Sequence, residues 1–345
     1  RFPVRKGDAD DVPEIIEDST FSVEGSFYAS REPHMSIEGD TVQAYYDEDG
    51  MLTVHCKSMT NYFDRDDVAE AVGENPENVR IVENPTGGSF GWAMNAGSYA
   101  LGAMAAKVTQ KPVALHIDYS QFMAFSGKRS PAYMNGSLSC DENGMITAGQ
   151  FDVGLDHGSY HELGDDKLMR ISRFMFFPYY IPNALGVSRV AITNHAFGTA
   201  YRGYGAPQAF TCGEALIDML AEKAGIDPFE FRYNNIARPG DTNLNQYPFL
   251  HYPMEEMMDK MKPYYDKAVA KAKAESTDEI KKGVGIAWGG YNVGLGAVDE
   301  AHVALELMPG DRPKFRKYDT WQDQGQGGAL LGADEVLGHG RNGQQ

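Results

Sequence analysis

Two glycine-rich loops constrain this chain more than any other feature of its sequence. Residues 86–91 read Thr-Gly-Gly-Ser-Phe-Gly, and residues 201–208 read Tyr-Arg-Gly-Tyr-Gly-Ala-Pro-Gln. Glycine permits positive φ and brings backbone N–H groups close to a ligand, whereas the aromatic residues between the glycines form an apolar wall. The guanidinium of Arg202 adds a planar, permanently charged donor that suits oxyanions. The two loops therefore predict one ligand cradle built from distant segments.

The residues after each loop predict a helix. Residues 95–107 are rich in alanine, and Leu101 and Met104 are spaced to share one helical face. Residues 208–223 form a second amphipathic pattern that stops at Gly225. A helix that starts at a loop directs free N–H groups and positive partial charge toward it, which favours a phosphate or an oxo group there.

The remaining pattern alternates short strands with helices. Asp227 followed by Pro228 predicts the cap and first turn of a further helix. Hairpins are predicted at residues 41–57 and 137–153, single strands at 79–82, 112–119, 283–287 and 301–307, and helices at 65–72 and 254–274, the latter kinked or split by Pro263.

Composition narrows the function classes. The formal net charge of −18 argues against a nucleic-acid or anionic-membrane surface, because both need basic patches. No apolar run approaches the roughly 20 residues of a membrane span. Cys56, Cys140 and Cys212 lie far apart without a Cys-x-x-Cys pair, so neither a zinc nor an iron–sulfur site is predicted. An odd, scattered set of cysteines favours a reducing compartment, and we expect a cytoplasmic protein.

Further stretches occur in the order found in a known family. They lie at residues 83–85, 127–131, 156–158, 180–183, 193–195, 238–243, 281–286 and 323–327. Together with the two loops they resemble the molybdenum-binding subunit of the xanthine oxidase family of molybdenum hydroxylases, and most of all its bacterial aldehyde oxidoreductases. One loop alone is a weak signal, whereas the ordered set spans nearly the whole chain.

The resemblance implies an α+β fold of mixed sheets with packed helices. It divides the chain into a first molybdenum-cofactor-binding domain at residues 1–274, a charged linker at 275–282 and the beginning of a second such domain at 283–345. Compared with the family, the chain is expected to begin late in the subunit's first section and to stop early in the second domain. The family's iron–sulfur and flavin modules are then expected on other modules or partner subunits.

The resemblance also assigns site residues. Molybdopterin, expected in a dinucleotide form, would be contacted by Gly88, Ser89, Phe90, Gly91, Arg202, Gly203, Gln324, Gly325 and Gln326. Met94 and Tyr204 match positions that line the substrate channel, and no protein ligand to the metal is implied. The first loop departs from the family pattern at Ser89, Trp92 and Ala93, which leaves the detail of its lining open.

Each assignment has a structural alternative. The first loop is alternatively a tight strand-to-helix turn with a buried Phe90, and Arg202 a buried arginine paired with an acid. Tyr204 is alternatively core filling, and Gln208 either donates to a phosphate or caps its own helix. His157 and His161 have the four-residue spacing of a metal site, but the intervening Gly158 and Ser159 favour a structural turn.

The activity implied by the resemblance is oxidation of an aldehyde to a carboxylic acid with water, electrons leaving through iron–sulfur clusters. Purine-hydroxylating members carry an acid four residues after the loop phenylalanine, and here that residue is the apolar Met94. Hydroxylation of N-heterocycles is therefore the alternative. The family's general-base glutamate lies in a Gly-x-Gly-Glu context that this sequence lacks. We expect the chain to need a further segment or a separate chain for turnover; a non-catalytic scaffold and a nucleotide-binding protein are the alternatives from other classes.

Overall fold

The computed structural model describes residues 1–160, 162–249 and 252–291, and the backbone of two strands within residues 301–320. The strands are β1 (Phe2–Lys6), β2 (Phe21–Ala29), β3 (Glu32–Pro33), β4 (Asp40–Tyr46), β5 (Leu52–Cys56), β6 (Val79–Glu83), β7 (Val113–Ile117), β8 (Lys128–Arg129), β9 (Ala132–Cys140), β10 (Ile146–Gly158), β11 (Asn183–Ile192), β12 (Ala301–Glu306) and β13 (Lys314–Thr320). The helices are α1 (Val12–Asp18), α2 (Asn61–Val72), α3 (Gly97–Thr109), α4 (Tyr119–Phe125), α5 (Gly164–Phe174), α6 (Ala206–Ala224), α7 (Pro228–Asn235) and α8 (Met254–Glu275). Mixed sheets with packed helices confirm the predicted α+β class.

The chain forms two compact units. The larger unit comprises Arg1–His34 and Ser126–Tyr291, and the smaller unit comprises Met35–Phe125 and Asn292–Gln345. The first glycine loop belongs to the smaller unit and the second to the larger.

The larger unit is built on a five-stranded sheet in the order β1-β11-β10-β9-β2. The β10–β11 pair is parallel and the other three pairs are antiparallel. The β9–β10 hairpin is confirmed: Asp141 Oδ1 accepts from the N–H of Asn143 and Met145, and Gly144 has a φ of 77°. The core lies where the sheet meets α5 and α6, around Phe151, Phe174 and Leu216.

Local signals in the larger unit predicted its helices well. Gly225 ends α6 in the left-handed conformation, and the carboxylate of Asp227 accepts from the N–H of Phe229 and Glu230 to cap α7. Pro263 does not split α8, which runs continuously from Met254 to Glu275. The strand predicted at residues 283–287 is wrong, since residues 276–291 contain neither helix nor strand.

The smaller unit contains a four-stranded sheet in the order β6-β5-β4-β7, covered by α2 and α3. The predicted β4–β5 hairpin is confirmed. Leu101 and Met104, however, are 54% and 38% exposed, whereas the buried face of α3 carries Tyr99 and otherwise small residues. A Cβ on Gly102 would lie 2.8 Å from Val42 Cγ1, so at this position the helix packs too closely on the sheet for any larger residue. The backbone of β12 and β13 forms a separate antiparallel pair.

No helix among the described residues combines the length and the apolar character that crossing a membrane requires.

Candidate functional site

The first glycine loop leads from β6 to a 3₁₀ turn at Trp92–Met94. Its φ angles are positive at Gly88 (118°), Phe90 (54°) and Gly91 (110°). A phenylalanine in this left-handed region costs on the order of 1 kcal/mol, so other contacts must hold the loop in place. The strained residue lies at the crest of the loop, where the sequence predicted a ligand contact.

Ser89 stabilises the loop from within. Its Oγ accepts hydrogen bonds from the N–H of Gly91 at 3.1 Å and of Ala93 at 2.9 Å. These two bonds satisfy donors at the start of the 3₁₀ turn, as hydroxyl caps do at helix N-termini. Ser89 therefore shapes the backbone that any ligand would meet.

A buried ion cluster also supports the loop. Lys57 is 3% exposed, forms an ion pair with Asp40 at 3.4 Å and donates to the carbonyl oxygens of Gly39 (3.0 Å) and Gly88 (3.5 Å). The fully buried Trp92 donates its indole N–H to Asp40 Oδ2 at 2.7 Å. Trp92, one of the departures from the family pattern, therefore stabilises the loop and does not line it. Sequence reasoning missed Lys57 and Asp40, because no short-range pattern links them to the loop.

Phe90 is presented to the outside of the loop. Its side chain is 41% exposed, and its backbone N–H donates no hydrogen bond within the described part of the chain. The tight-turn interpretation therefore holds for the backbone, but the buried phenylalanine that it assumed is wrong. Met94, four residues further on, is half-buried and donates its N–H to the carbonyl oxygen of Gly91 at 3.2 Å.

The second glycine loop ends in the N-terminus of α6. Its φ angles are positive at Gly203 (88°), Tyr204 (38°) and Gly205 (94°). A Cβ on Gly203 would lie 2.6 Å from Pro207 Cγ, so no larger residue fits at that position. As in the first loop, an aromatic residue sits in a strained conformation between two glycines.

Arg129 and His34 anchor the second loop. Arg129 donates to the carbonyl oxygen of Arg202 at 2.8 Å, stacks 3.9 Å from the centroid of the Tyr201 ring and pairs with Glu32 at 2.7 Å. The His34 ring lies 4.7 Å from the Tyr201 ring and 2.7 Å from the carbonyl oxygen of Ala200. Burial lowers the pKa of His34 to about 4, so its imidazole is neutral at pH 7 and serves as a structural contact.

The side chain of Arg202 is exposed. Although its carbonyl oxygen is bound by Arg129, its guanidinium forms no hydrogen bond or ion pair within the residues that the structure describes. The alternative of a buried arginine paired with an acid is therefore wrong. Arg202 is held through its backbone while its charged donors remain available to a ligand.

Tyr204 and Gln208 face the interior of the larger unit. Tyr204 donates its hydroxyl to the carbonyl oxygen of Leu163 at 3.1 Å, and burial raises the pKa of its phenol. Gln208 is 3% exposed and donates to the carbonyl oxygen of Ser130 at 3.3 Å, so the prediction that it caps its own helix is wrong. Its Oε1 has no hydrogen-bond partner among the described residues.

Three cations on α5 were not predicted from the sequence. Lys167, Arg170 and Arg173 are 5%, 1% and 6% exposed. The segment begins with Asp165 and Asp166 and carries a charge in every turn, which is the usual pattern of a solvent-exposed helix. The only sequence signal against that interpretation is the apolar run Phe-Met-Phe-Phe at residues 174–177, which continues directly into the core.

The remaining candidates are the histidine pair, His157 and His161, and the loop at residues 324–326. His157 is fully buried; its Nδ1 lies 2.8 Å from Ser130 Oγ and its Nε2 lies 2.6 Å from the carbonyl oxygen of Glu162. Across the described residues, no group of three or more His, Cys, Asp or Glu is placed to hold a metal ion. Gln324, Gly325, Gln326 and His161 lie outside the described residues.

Comparisons with known proteins converge on one kind of domain. Residues 2–236 match the family model of the molybdopterin cofactor-binding domain. Aldehyde oxidoreductase of Megalodesulfovibrio gigas is 41% identical over 97% of this chain and 37% of its own length. The nicotinate dehydrogenase large molybdopterin subunit of Eubacterium barkeri is 31% identical over 67% of this chain and 54% of its own length. The crystal structure of the aldehyde oxidoreductase from Desulfovibrio desulfuricans superimposes with a TM-score of 0.84 at 37% identity, covering 89% of this chain and 34% of that one. The chain thus spans about a third to a half of the length of these relatives.

Proposed function

The chain belongs to the family of molybdopterin cofactor-binding domains, and from this premise we propose that it forms part of the cofactor pocket of a molybdenum hydroxylase that oxidises aldehydes. The observation that carries the proposal is that each glycine loop presents a donor without a partner in the described chain. In the first loop this is the N–H of Phe90, and in the second it is the guanidinium of Arg202. The N–H of Phe90 is held by strained backbone, so it needs little reorganisation when a ligand binds, whereas the exposed guanidinium of Arg202 is free to turn toward a ligand.

The donor set suits this cofactor. Molybdopterin offers phosphate and pterin oxygens, which accept from backbone N–H groups and from guanidinium. When bound, the molybdenum cofactor supplies the oxygen transfer and accepts the substrate's electrons. The tasks of the chain are then to bind and orient the cofactor. Gly88, Ser89, Phe90 and Gly91 would offer backbone groups. Arg202 would offer its charge, and Gly203 would let the cofactor approach the backbone closely. We propose Gln324, Gly325 and Gln326 as further pterin contacts.

The substrate assignment rests on two side chains. Met94 is half-buried beside the first loop and brings no charge, which suits an aldehyde better than a polar heterocycle. Tyr204 would supply an aromatic wall to the channel. The similarity to an aldehyde oxidoreductase over 97% of the chain supports the same assignment. Hydroxylation of an N-heterocycle is the second candidate, favoured by the 31% identity to a nicotinate dehydrogenase subunit.

We propose that other segments or subunits supply the remaining groups of the active site and the electron path. A glutamate from another segment or chain would act as general base. Electrons would leave through iron–sulfur clusters on other modules or subunits, and the pterin would carry a nucleotide. The three cysteines are free and buried, which supports a reducing compartment, the cytoplasm; cell fractionation with a periplasmic marker tests this location.

We also propose the division into domains at residues 1–274 and 283–345, joined by 275–282. Support comes from the end of α8 at Glu275 and the absence of helix or strand across residues 276–291. Limited proteolysis should cut first within 275–282, and a first cut elsewhere would contradict the division.

The first experiment is the ratio of molybdenum to chain in natively purified protein, with pterin measured as its fluorescent oxidation product. A ratio near one, with turnover of aldehydes faster than of purines, would support the proposal. Met94→Glu should shift the preference toward heterocycles, whereas Met145→Glu, at an exposed methionine in the larger unit, should not. Folded protein without molybdenum would leave the scaffold alternative. Saturable nucleotide binding without pterin would favour a nucleotide-binding protein.

A further inference from the structure

Residues 32–38 form a short stretch of chain in which side-chain exposure alternates. Met35 and Ile37 are 59% and 93% exposed, whereas His34 and Ser36 are 2% and 0% exposed. This two-residue period is that of a strand with one buried face, so the even-numbered side chains point to the interior. The boundary between the two compact units falls between His34 and Met35. The row of inward side chains is therefore shared between the units.

The part of this row in the larger unit holds the second glycine loop. The ring of His34 lies 4.7 Å from the ring of Tyr201. Glu32 accepts a hydrogen bond from Arg129 Nε at 2.7 Å, and Arg129 donates in turn to the carbonyl oxygen of Arg202 at 2.8 Å. Hydrogen bonds between charged groups are about twice as strong as neutral ones. Glu32 therefore acts on the second loop through Arg129.

The part of the row in the smaller unit holds the first glycine loop. The carboxylate of Glu38 accepts a hydrogen bond from the N–H of Gly87 at 2.5 Å. A Cβ on Gly87 would lie 3.0 Å from Glu38 Oε2, so the backbone passes directly over the carboxylate. Ser36 donates its hydroxyl to the carbonyl oxygen of Ser89 at 3.5 Å. Glu38 therefore acts on the first loop directly, and Ser36 adds a weaker contact.

These contacts fix the backbone immediately before Phe90. Each of residues 87–89 has one main-chain group held by a side chain, because Lys57 donates to the carbonyl oxygen of Gly88 at 3.5 Å. The next N–H along the chain is that of Phe90, which donates no hydrogen bond in the described chain. Restricting three successive residues restricts the direction of this N–H, and a donor that is already aimed needs less reorganisation to bind.

We propose that Glu32 and Glu38 are positioning residues for the proposed cofactor pocket. Glu38 directs the first loop through Gly87, and Glu32 directs the second loop through Arg129. The side chains of Glu32 and Glu38 are 47% and 35% exposed, and ion pairs at such partly exposed sites contribute little to stability. Their effect is therefore expected in the conformation of the loops. This role rests on the proposed function, because the aim of the loops matters to the cofactor only if the loops bind it.

The effect on the loops is tested by amide hydrogen exchange, which does not need turnover. Wild-type protein and the variants Glu38→Ala and Glu32→Ala, purified with whatever subunits they carry, are labelled in deuterium oxide, and peptides covering residues 86–94 and 199–205 are compared by mass spectrometry. Glu38→Ala should raise exchange about tenfold in 86–94 and less in 199–205, as loss of one charged hydrogen bond does, and Glu32→Ala should do the reverse. Loss of the cofactor alone would raise exchange in the same pattern for both variants, so the crossed pattern identifies positioning. Glu38→Gln, which keeps an acceptor oxygen, should restore slow exchange.

The consequence for the cofactor is measured as the molybdenum-to-chain ratio of the same preparations. Glu38→Ala and Glu32→Ala should each lower the ratio severalfold, and Glu38→Gln should regain most of it. The matched control is Glu74→Ala in the smaller unit. Glu74 has a side chain 22% exposed and pairs with Lys107 at 2.9 Å, away from the glycine loops. Its replacement should lower the melting temperature as much as Glu38→Ala does and leave the molybdenum ratio unchanged.

Three results would overturn the positioning role. One is unchanged exchange in 86–94 for Glu38→Ala or in 199–205 for Glu32→Ala. The second is altered exchange with an unchanged molybdenum ratio, which would leave the proposed function standing. The third is an equal fall of the ratio in Glu74→Ala, which would show a general loss of stability. Wild-type protein without molybdenum would contradict the proposed function itself, whereas the exchange pattern would still decide whether the two acids hold the loops. If an alanine variant does not fold, the methionine variant at the same position, which keeps the length of the side chain, takes its place.

Discussion

Lys57 and Lys167 are buried to nearly the same degree but differ in their hydrogen-bond partners. Lys57, in the smaller unit, is 3% exposed, pairs with Asp40 and donates to carbonyl oxygens of the first glycine loop. Lys167, in the larger unit, is 5% exposed and its Nζ has no hydrogen-bond partner in the described chain. Burial alone therefore does not reveal what a charged residue does.

The difference lies in where the partners come from. Lys57 is satisfied by groups of its own unit, so its charge fixes the shape of a loop. Among the described residues Lys167 faces carboxylates at longer range, Arg129 and an aromatic ring, and none of them accepts a hydrogen bond from its Nζ. A buried ion that is fully paired supports structure, whereas one that lacks partners makes a case for a ligand.

The largest effect is expected from Lys57→Met. Removing one partner of a buried pair leaves Asp40, itself 0% exposed, without its counter-charge. The free energy of unfolding should fall by about 3–5 kcal/mol. Chemical denaturation of the purified protein measures it. Lys107→Met, which removes a partly exposed pair with Glu74, should cost no more than about 1 kcal/mol. A similar small loss for both variants would contradict the comparison.

Trp92→Phe is expected to act through the same cluster with a smaller effect. The ring stays buried between Phe122 and Phe125, but the indole N–H donated to Asp40 is lost. A hydrogen bond to a buried carboxylate contributes about 2 kcal/mol. Because Lys57 and Trp92 share Asp40, the double variant should lose less than the sum of the single losses. Strict additivity in the same denaturation experiment would show that the two side chains do not act together.

Lys167→Met, unlike the two variants above, should increase the stability of the folded protein. The pKa of Lys167 is about 7 in the folded chain and 10.5 ordinarily, so folding releases a proton between these values. The lysine therefore penalises the folded state most below pH 7, and the penalty falls as the pH rises toward 10.5. The variant should be more stable than the wild type by on the order of 1 kcal/mol at pH 6, with a smaller gain at pH 9. Melting temperatures at both pH values check this, and a gain that grows with pH would contradict it.

The sequence predicted what local chemistry determines. Gly225, Asp227 and the turn at residues 141–144 specify their own conformations, and the hairpins and helices around them were confirmed. The loops were recognised because they occur in a fixed order with the other matching stretches, since one loop alone is a weak signal.

What the sequence did not predict depends on burial and on distant partners. The charged pattern of α5 indicates an exposed helix, and only the tertiary packing buries it. Leu101 and Met104 indicated the buried face of α3, but close packing of Gly102 on Val42 turned that face outward. The support of the first loop by Lys57 joins residues whose sequence separation leaves no local signature.

The smallest effect on stability is expected from Arg202→Ala, which makes it the sharpest test of the site. Arg202 is the third kind of cation in this molecule: exposed, anchored by its backbone, and without a side-chain partner in the described residues. Truncating it should change the free energy of unfolding by less than about 0.5 kcal/mol, as for other surface substitutions. If the guanidinium binds the cofactor, the molybdenum-to-chain ratio should nevertheless fall severalfold, whereas Arg189→Ala, at an exposed arginine on β11, should change neither quantity. A large loss of stability would instead show that Arg202 stabilises the folded structure, as Lys57 does. An unchanged molybdenum ratio would remove Arg202 from the proposed pocket and leave the N–H of Phe90 as its remaining free donor.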